Sequence, residues 1–127
     1  MFVDTDVMIW GLKQDAGAVR LLDSLDEIEL PSIVYMELIQ GARSKQELQT
    51  IVKALEALDA RIVHVDEAIS RKAVELVRQF AHSHALYLAD ALIAATALRH
   101  GQTLITGNDK HYAAIPELAI DVFRPGQ

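Results

Sequence analysis

The sequence contains no cysteine, no long uncharged apolar run, and fewer basic than acidic residues. Without cysteine, neither disulfide stapling nor thiolate chemistry is available, which suits a reducing compartment. No apolar stretch approaches the roughly 18 residues of a membrane span, and the start Met-Phe-Val-Asp-Thr-Asp lacks the basic segment of a signal peptide, so a cytoplasmic protein is expected. Twelve Lys and Arg stand against 18 Asp and Glu, a formal charge of -6. At face value that excludes the basic face usual in nucleic-acid binders. The exclusion weakens if several acids share a metal site, because bound divalent ions would cancel them. Internal repeats, low-complexity tracts and linkers are also absent.

What is present is 127 residues with 51% hydrophobic content, enough for one domain, 1–127, with one real core. The segment from Leu86 to Asp109 dominates: an apolar, alanine-rich helix that carries Asp90, a C-capping Gly101, a strand at Thr103–Ile105, and a polar turn Thr106-Gly107-Asn108-Asp109. A lone carboxylate in such a helix needs a compensating partner, since burying it unpaired costs several kcal/mol (about 3 or more).

Upstream, Met1–Val3 is expected to be an inner strand that ends in Asp4-Thr5-Asp6, followed by a short helix before Gly11. An acid directly after a buried strand is either a helix cap or a functional group. Helical spacing marks Ala18–Leu25, a brief strand follows at Ile28–Leu30, and Ser32 is expected to cap a helix over Ile33–Gln40 that carries Glu37 among apolar neighbours. Leu48, Ile51, Val52, Leu55 and Leu58 form an apolar stripe on a helix over Gln46–Leu58, read as core, with a partner-binding face as the alternative. Arg61–Val65 is a strand, Asp66 caps a helix that ends near Phe80, and His82 and His84 are placed in an exposed loop. A last strand covers Ala119–Phe123. Strands and helices alternate, which predicts an α/β fold: three layers around a central, mostly parallel sheet of four to five strands.

Three acids thus sit in apolar sequence, Asp4, Glu37 and Asp90, with Asn108 or Asp109 as a fourth polar group. If they converge, they cannot all be ionised without cations, and hard oxygen ligands of this kind call for Mg²⁺ or Mn²⁺.

The segments DTDVMIW, YMELIQGA, DALIAATALRHG and LITGNDKHY resemble, in order and spacing, the PIN domain, and within it the VapC-type ribonuclease toxins of bacterial toxin–antitoxin pairs. The resemblance implies an endoribonuclease dependent on Mg²⁺ or Mn²⁺ that cuts tRNA or another structured RNA and inhibits translation. It further implies a homodimer and a VapB-like antitoxin whose amphipathic segment docks between the early helices. On this resemblance Asp4, Glu37 and Asp90 match the family's regular acids and are the expected metal ligands. Thr5 and Thr106 match its hydroxyl residues, and Asp6 stands where the family has Asn or Asp. The sequence departs at Asn108, where many members have Asp, with Asp109 one residue further on. Arg43, Lys45, Arg99 and Lys110, which follow motif segments, are candidates for phosphate contact. Two other readings stand beside this one: a haloacid-dehalogenase-type phosphatase, from Asp4-x-Asp6 with LITGN later, for whose Lys and downstream acidic pair only Lys110 and Asp121 remain, and a non-catalytic PIN-like binding module.

Overall fold

In the computed structural model, which describes residues 1–126, five short strands form one sheet in the order β3-β2-β1-β4-β5, every neighbouring pair parallel. The strands are β1 (Phe2–Val3), β2 (Glu29–Pro31), β3 (Arg61–Val63), β4 (Leu104–Thr106) and β5 (Ile120–Val122). Around them lie α1 (Thr5–Leu12), α2 (Ala16–Ser24), α3 (Ser32–Gln40), α4 (Lys45–Ala57), α5 (Glu67–His84), α6 (Leu88–His100) and the single turn α7 (Asp109–Tyr112). Successive side chains of a strand point to opposite faces. Phe2 and Val3 are both fully buried, as are Leu104, Ile105 and Thr106, so the central strands are covered on both faces and the fold is a three-layer α/β arrangement. Among the described residues, no helix is long and apolar enough to cross a membrane.

The strand order sets the location of the site. The chain winds from β1 through β2 to β3 on one side, then returns to place β4 and β5 on the other. The reversal falls between β1 and β4, and crevices that bind ligands open beyond the carboxyl ends of strands at such a point. Phe2 pairs with Leu104 and Val3 with Ile105, and the Asp4 amide donates to the Ile105 carbonyl at 2.9 Å. The next step of this register brings Asp4 opposite Thr106.

Several local expectations shift. α1 runs through Gly11, which is buried against Leu22 of α2, so glycine here is a packing device within the helix. Ser32 is the first residue of α3, with Pro31 in the capping position and no side-chain cap. His82 and His84 are not in a loop: α5 continues to His84 and stops at left-handed Ala85 (φ 52°). The absence of glycine or proline there hid the helix end from the sequence. Asp66 does cap α5, accepting from the Ile69 amide at 2.8 Å, and Gly101 ends α6 in the left-handed conformation. On α4 only Leu55 is buried, while Leu48 is exposed and Ile51 is half-buried. Leu55 joins the core and Ile51 and Leu58 pack against it, as the stripe predicted; Ile51 and Leu58 also line a groove.

Candidate active site

Asp4 follows β1 directly and is 4% exposed. Its Oδ1 accepts from the Thr5 amide at 2.8 Å, as the cap of α1. Its Oδ2 accepts from the Thr106 hydroxyl at 2.8 Å and the Tyr112 phenol at 3.0 Å. None of these partners is cationic. Burial pushes the Asp4 carboxyl above the usual carboxylate range; the three hydrogen bonds pull it back in part, and the charge of Asp90 adds to the rise. Asp4 therefore caps α1 and is at the same time a buried acid at the switch point.

Asp6, half-buried, ties two turns together: Oδ1 accepts from the Val7 amide and Oδ2 from the Gly107 amide, both at 2.9 Å. Its carboxyl is also raised, by burial first and then by the charge of Asp4. A Cβ at Gly107 would collide with Asp6 Oδ2 and press on the Phe123 carbonyl, so the turn after β4 requires glycine for close approach.

Glu37 lies on the exposed side of α3 but is not a free surface acid. Its Oε1 accepts a 2.7 Å hydrogen bond from the Thr5 hydroxyl, which links it to the residue beside Asp4.

Asp90 corrects its own expectation. The apolar pattern around it predicted a buried carboxylate; its side chain is 18% exposed, and because α6 begins at Leu88, itself 70% exposed, Asp90 stands in the first turn. A carboxylate at a helix N-terminus is stabilised by the unpaired amides and the helix dipole. Its Oδ2 accepts from the Tyr87 amide at 3.4 Å, and His111 Nδ1 stands 3.7 Å from Oδ1. Alanines such as Ala91, Ala94 and Ala95 are the buried part of the helix, behind the acid.

Thr106 closes β4 fully buried; besides donating to Asp4, its hydroxyl accepts from the Asn108 amide at 2.9 Å. Asn108 caps α7 with its side chain exposed. Asp109 is held elsewhere: its Oδ1 accepts from Arg124 Nη2 at 2.8 Å, and this bond lowers its carboxyl below the usual range. Of the basic candidates, Arg43, Lys45 and Lys110 are exposed, and Arg43 pairs with Glu47 at 3.2 Å. Arg99 lies in the last turn of α6, roughly 14 Å along the helix axis from Asp90 at 1.5 Å per residue. His100, next to Arg99, packs edge-on against Phe2 at the start of β1, so Arg99 lies toward the amino ends of the strands and outside the acid cluster.

Residues missed in the sequence are Tyr112, Gly107, Arg124 and His111. Tyr112 and His111 sit within LITGNDKHY, but nothing in a four-residue helix announces that a phenol will point back to β1. Burial and the charges of Asp4 and Asp90 hold the Tyr112 hydroxyl far above its ordinary value, so it remains a donor.

The charged oxygen donors here are the carboxylates of Asp4, Asp6, Glu37 and Asp90, with the His111 imidazole 3.7 Å from Asp90. Among the described residues, no three acidic or imidazole groups form a ready metal cage. Carboxylate oxygens of this kind suit a hard ion of the magnesium type, which is held by one or two carboxylates and keeps several waters.

A parallel α/β sheet with a buried acid and further carboxylates at its switch point defines the class of α/β folds that place a ligand site beyond the strand ends. The chain belongs to the PIN domain family, whose model matches residues 1–118. It is similar to a protein named Ribonuclease VapC19 from Mycobacterium tuberculosis, 32% identical over 123 residues that cover 91% of this chain and 94% of that one. Among solved structures it is similar to a toxin-antitoxin complex from Klebsiella pneumoniae (TM-score 0.77, 28% identity, 99% of this chain and 98% of that one). The fold is also that of VapBC2 from Rickettsia felis bound to a DNA fragment from its promoter (TM-score 0.81, 23% identity, 97% and 98% covered). The phosphatase alternative gains no support: Lys110 is exposed, and Asp6 is occupied by two backbone amides.

Proposed function

We propose that this chain is a divalent-metal-dependent endoribonuclease and the toxin of a toxin–antitoxin pair. The observation that carries the reading is Asp4, a buried carboxylate with no cationic hydrogen-bond partner, within range of the charges of Asp6 and Asp90. Family membership and the ribonuclease name of the Mycobacterium tuberculosis relative support it.

Asp4 and Asp90 would hold Mg²⁺ or Mn²⁺, with Glu37 beside them. When bound, such an ion polarises a phosphodiester and acidifies water, which is the chemistry of hydrolytic cleavage. Within the chain, Thr5 fixes Glu37 through Oε1, so that Oε2 can orient an attacking water. Thr106 and the Gly107 amide hold Asp4 and Asp6 in register across the two turns. Asn108 supplies a neutral rim, and with Asp109 drawn to Arg124 the site is built for one tightly held ion. Arg43, Lys45 and Lys110 supply phosphate contacts. A tRNA or another structured RNA is the substrate, and inhibition of translation the result.

For the partner, α1 to α4 enclose a groove of about 820 Å³ lined by Met8, Ile9, Val19, Leu22, Leu38 and Ile51, with Glu37 among its lining residues. An amphipathic helix of a VapB-like antitoxin fits such a groove. The toxin itself forms a homodimer, and a monomeric mass by light scattering at micromolar concentration would count against that.

The test is cleavage of a mixed RNA pool with Mg²⁺, Mn²⁺ or EDTA, alongside Asp4→Asn. Metal-dependent cutting that the variant loses supports the reading. Cutting that persists in EDTA or in the variant overturns it, and silence under every condition from antitoxin-free protein favours the non-catalytic module.

A further inference from the structure

The Asp4 carboxylate is used asymmetrically. An ionised carboxylate offers about four lone-pair positions, two on each oxygen. Oδ2 already accepts two hydroxyl donors, Thr106 at 2.8 Å and Tyr112 at 3.0 Å, while Oδ1 accepts only the Thr5 amide at 2.8 Å. One position on Oδ1 is left.

Both donors on Oδ2 are fixed by the fold. Thr106 is fully buried at the end of β4, and Tyr112 is 1% exposed on α7, anchored in the core. The phenol's hydrogen bond goes to Asp4, and its ring belongs to the core. The hydroxyl is therefore the informative part of the side chain.

On the reading that Asp4 is a metal ligand, this asymmetry has a chemical consequence. Calcium takes six to eight oxygens and uses carboxylates in one- or two-oxygen mode, whereas magnesium demands octahedral geometry and takes one oxygen per carboxylate. We propose that Tyr112, together with Thr106, is a positioning residue that closes Oδ2 of Asp4 and makes it a one-oxygen ligand, so that the site selects a small octahedral ion over calcium. Tyr112 does not touch the ion; it acts through Asp4.

The test measures binding of MgCl₂, MnCl₂ and CaCl₂, each alone, to the full chain by calorimetry or thermal upshift, with no RNA present. Wild type binds Mg²⁺ and Mn²⁺ in preference to Ca²⁺. Tyr112→Phe, which keeps the ring, moves the Ca²⁺-to-Mg²⁺ affinity ratio toward calcium by about tenfold, the scale of losing an outer-shell partner. Thr106→Val moves it in the same direction, the double variant further, and Thr106→Ser restores it. Melting in EDTA identifies any variant that fails to fold, and the other single variant then carries the test. A ratio unchanged in the folded variants overturns the selectivity role while leaving the nuclease reading intact. Wild type that binds none of the three ions overturns both.

Discussion

The Thr106 hydroxyl reaches Oδ2 of Asp4 at 2.8 Å across 102 positions of sequence, joining the ends of β1 and β4 at the point where the sheet reverses direction. The same hydroxyl accepts from the Asn108 amide, so one side chain fixes both the acid and the turn beside it. We predict that Thr106→Val destabilises the metal-free protein by about 1.5–3 kcal/mol, the range for a hydrogen bond to a charged group, and that Thr106→Ser recovers most of it. Urea denaturation in EDTA measures both.

Asp4 and Asp6 impose a pH dependence of definite sign. Both folded-state values lie above 3.8, so between 3.8 and those raised values the folded chain binds more protons than the unfolded one. Their contribution to stability therefore falls as pH rises through that window. In EDTA, Asp4→Asn/Asp6→Asn should gain in melting temperature relative to wild type as pH rises from about 4 to 7. Added Mg²⁺ should narrow the gap by stabilising the wild type alone. A difference in melting temperature that stays flat across that range would contradict the assignment.

Replacement of the acids should grade activity by their place in the site. Asp4→Asn is expected to reduce RNA cleavage more than about a hundredfold, beyond the usual loss for an outer-shell partner. Glu37→Gln, which keeps the acceptor for Thr5 but removes the charge, should cost about ten- to a hundredfold. Single-turnover rates at saturating Mn²⁺ would separate these from weakened binding.

Gly107→Ala tests the close approach of the two turns. The added methyl meets Asp6 Oδ2 and, at 3.2 Å, the Phe123 carbonyl, and neither turn can retreat without breaking a hydrogen bond of the site. A loss of about 1–3 kcal/mol is expected, the usual range for overpacking. In the Asp6→Ala background, where the nearer clash is gone, the penalty should shrink.

Arg124 reaches the same turn from beyond β5, donating to the Gly107 carbonyl at 2.7 Å and to Asp109 at 2.8 Å. Its side chain is 45% exposed, so little effect on global stability is expected from Arg124→Ala. The local effect should be clear: the Gly107 amide, donated to Asp6, should exchange its hydrogen faster in the variant by NMR. Arg124→Lys, unable to hold both acceptors with a planar fork, should restore only part of the protection.

Much of this protein was determined by its linear pattern. Alternating short apolar runs and helical stripes specify a parallel α/β sheet, because strands buried on both faces read as continuous apolar segments. Asp4 and Thr106 were visible as polar residues that end such runs, and Glu37 as an acid among apolar neighbours. The tertiary structure decided what spacing cannot carry. The β1–β4 register brought Asp4 against Thr106, and the start of α6 at Leu88 put Asp90 in the first turn, where the helix dipole favours its charge. The run of α6 put Arg99 at the other end of the helix from Asp90, α7 aimed Tyr112 at Asp4, and Arg124 drew Asp109 away. Periodicity records which side of an element faces the core. Which residues meet across elements depends on strand order and helix ends, and these follow from the packing of the whole chain.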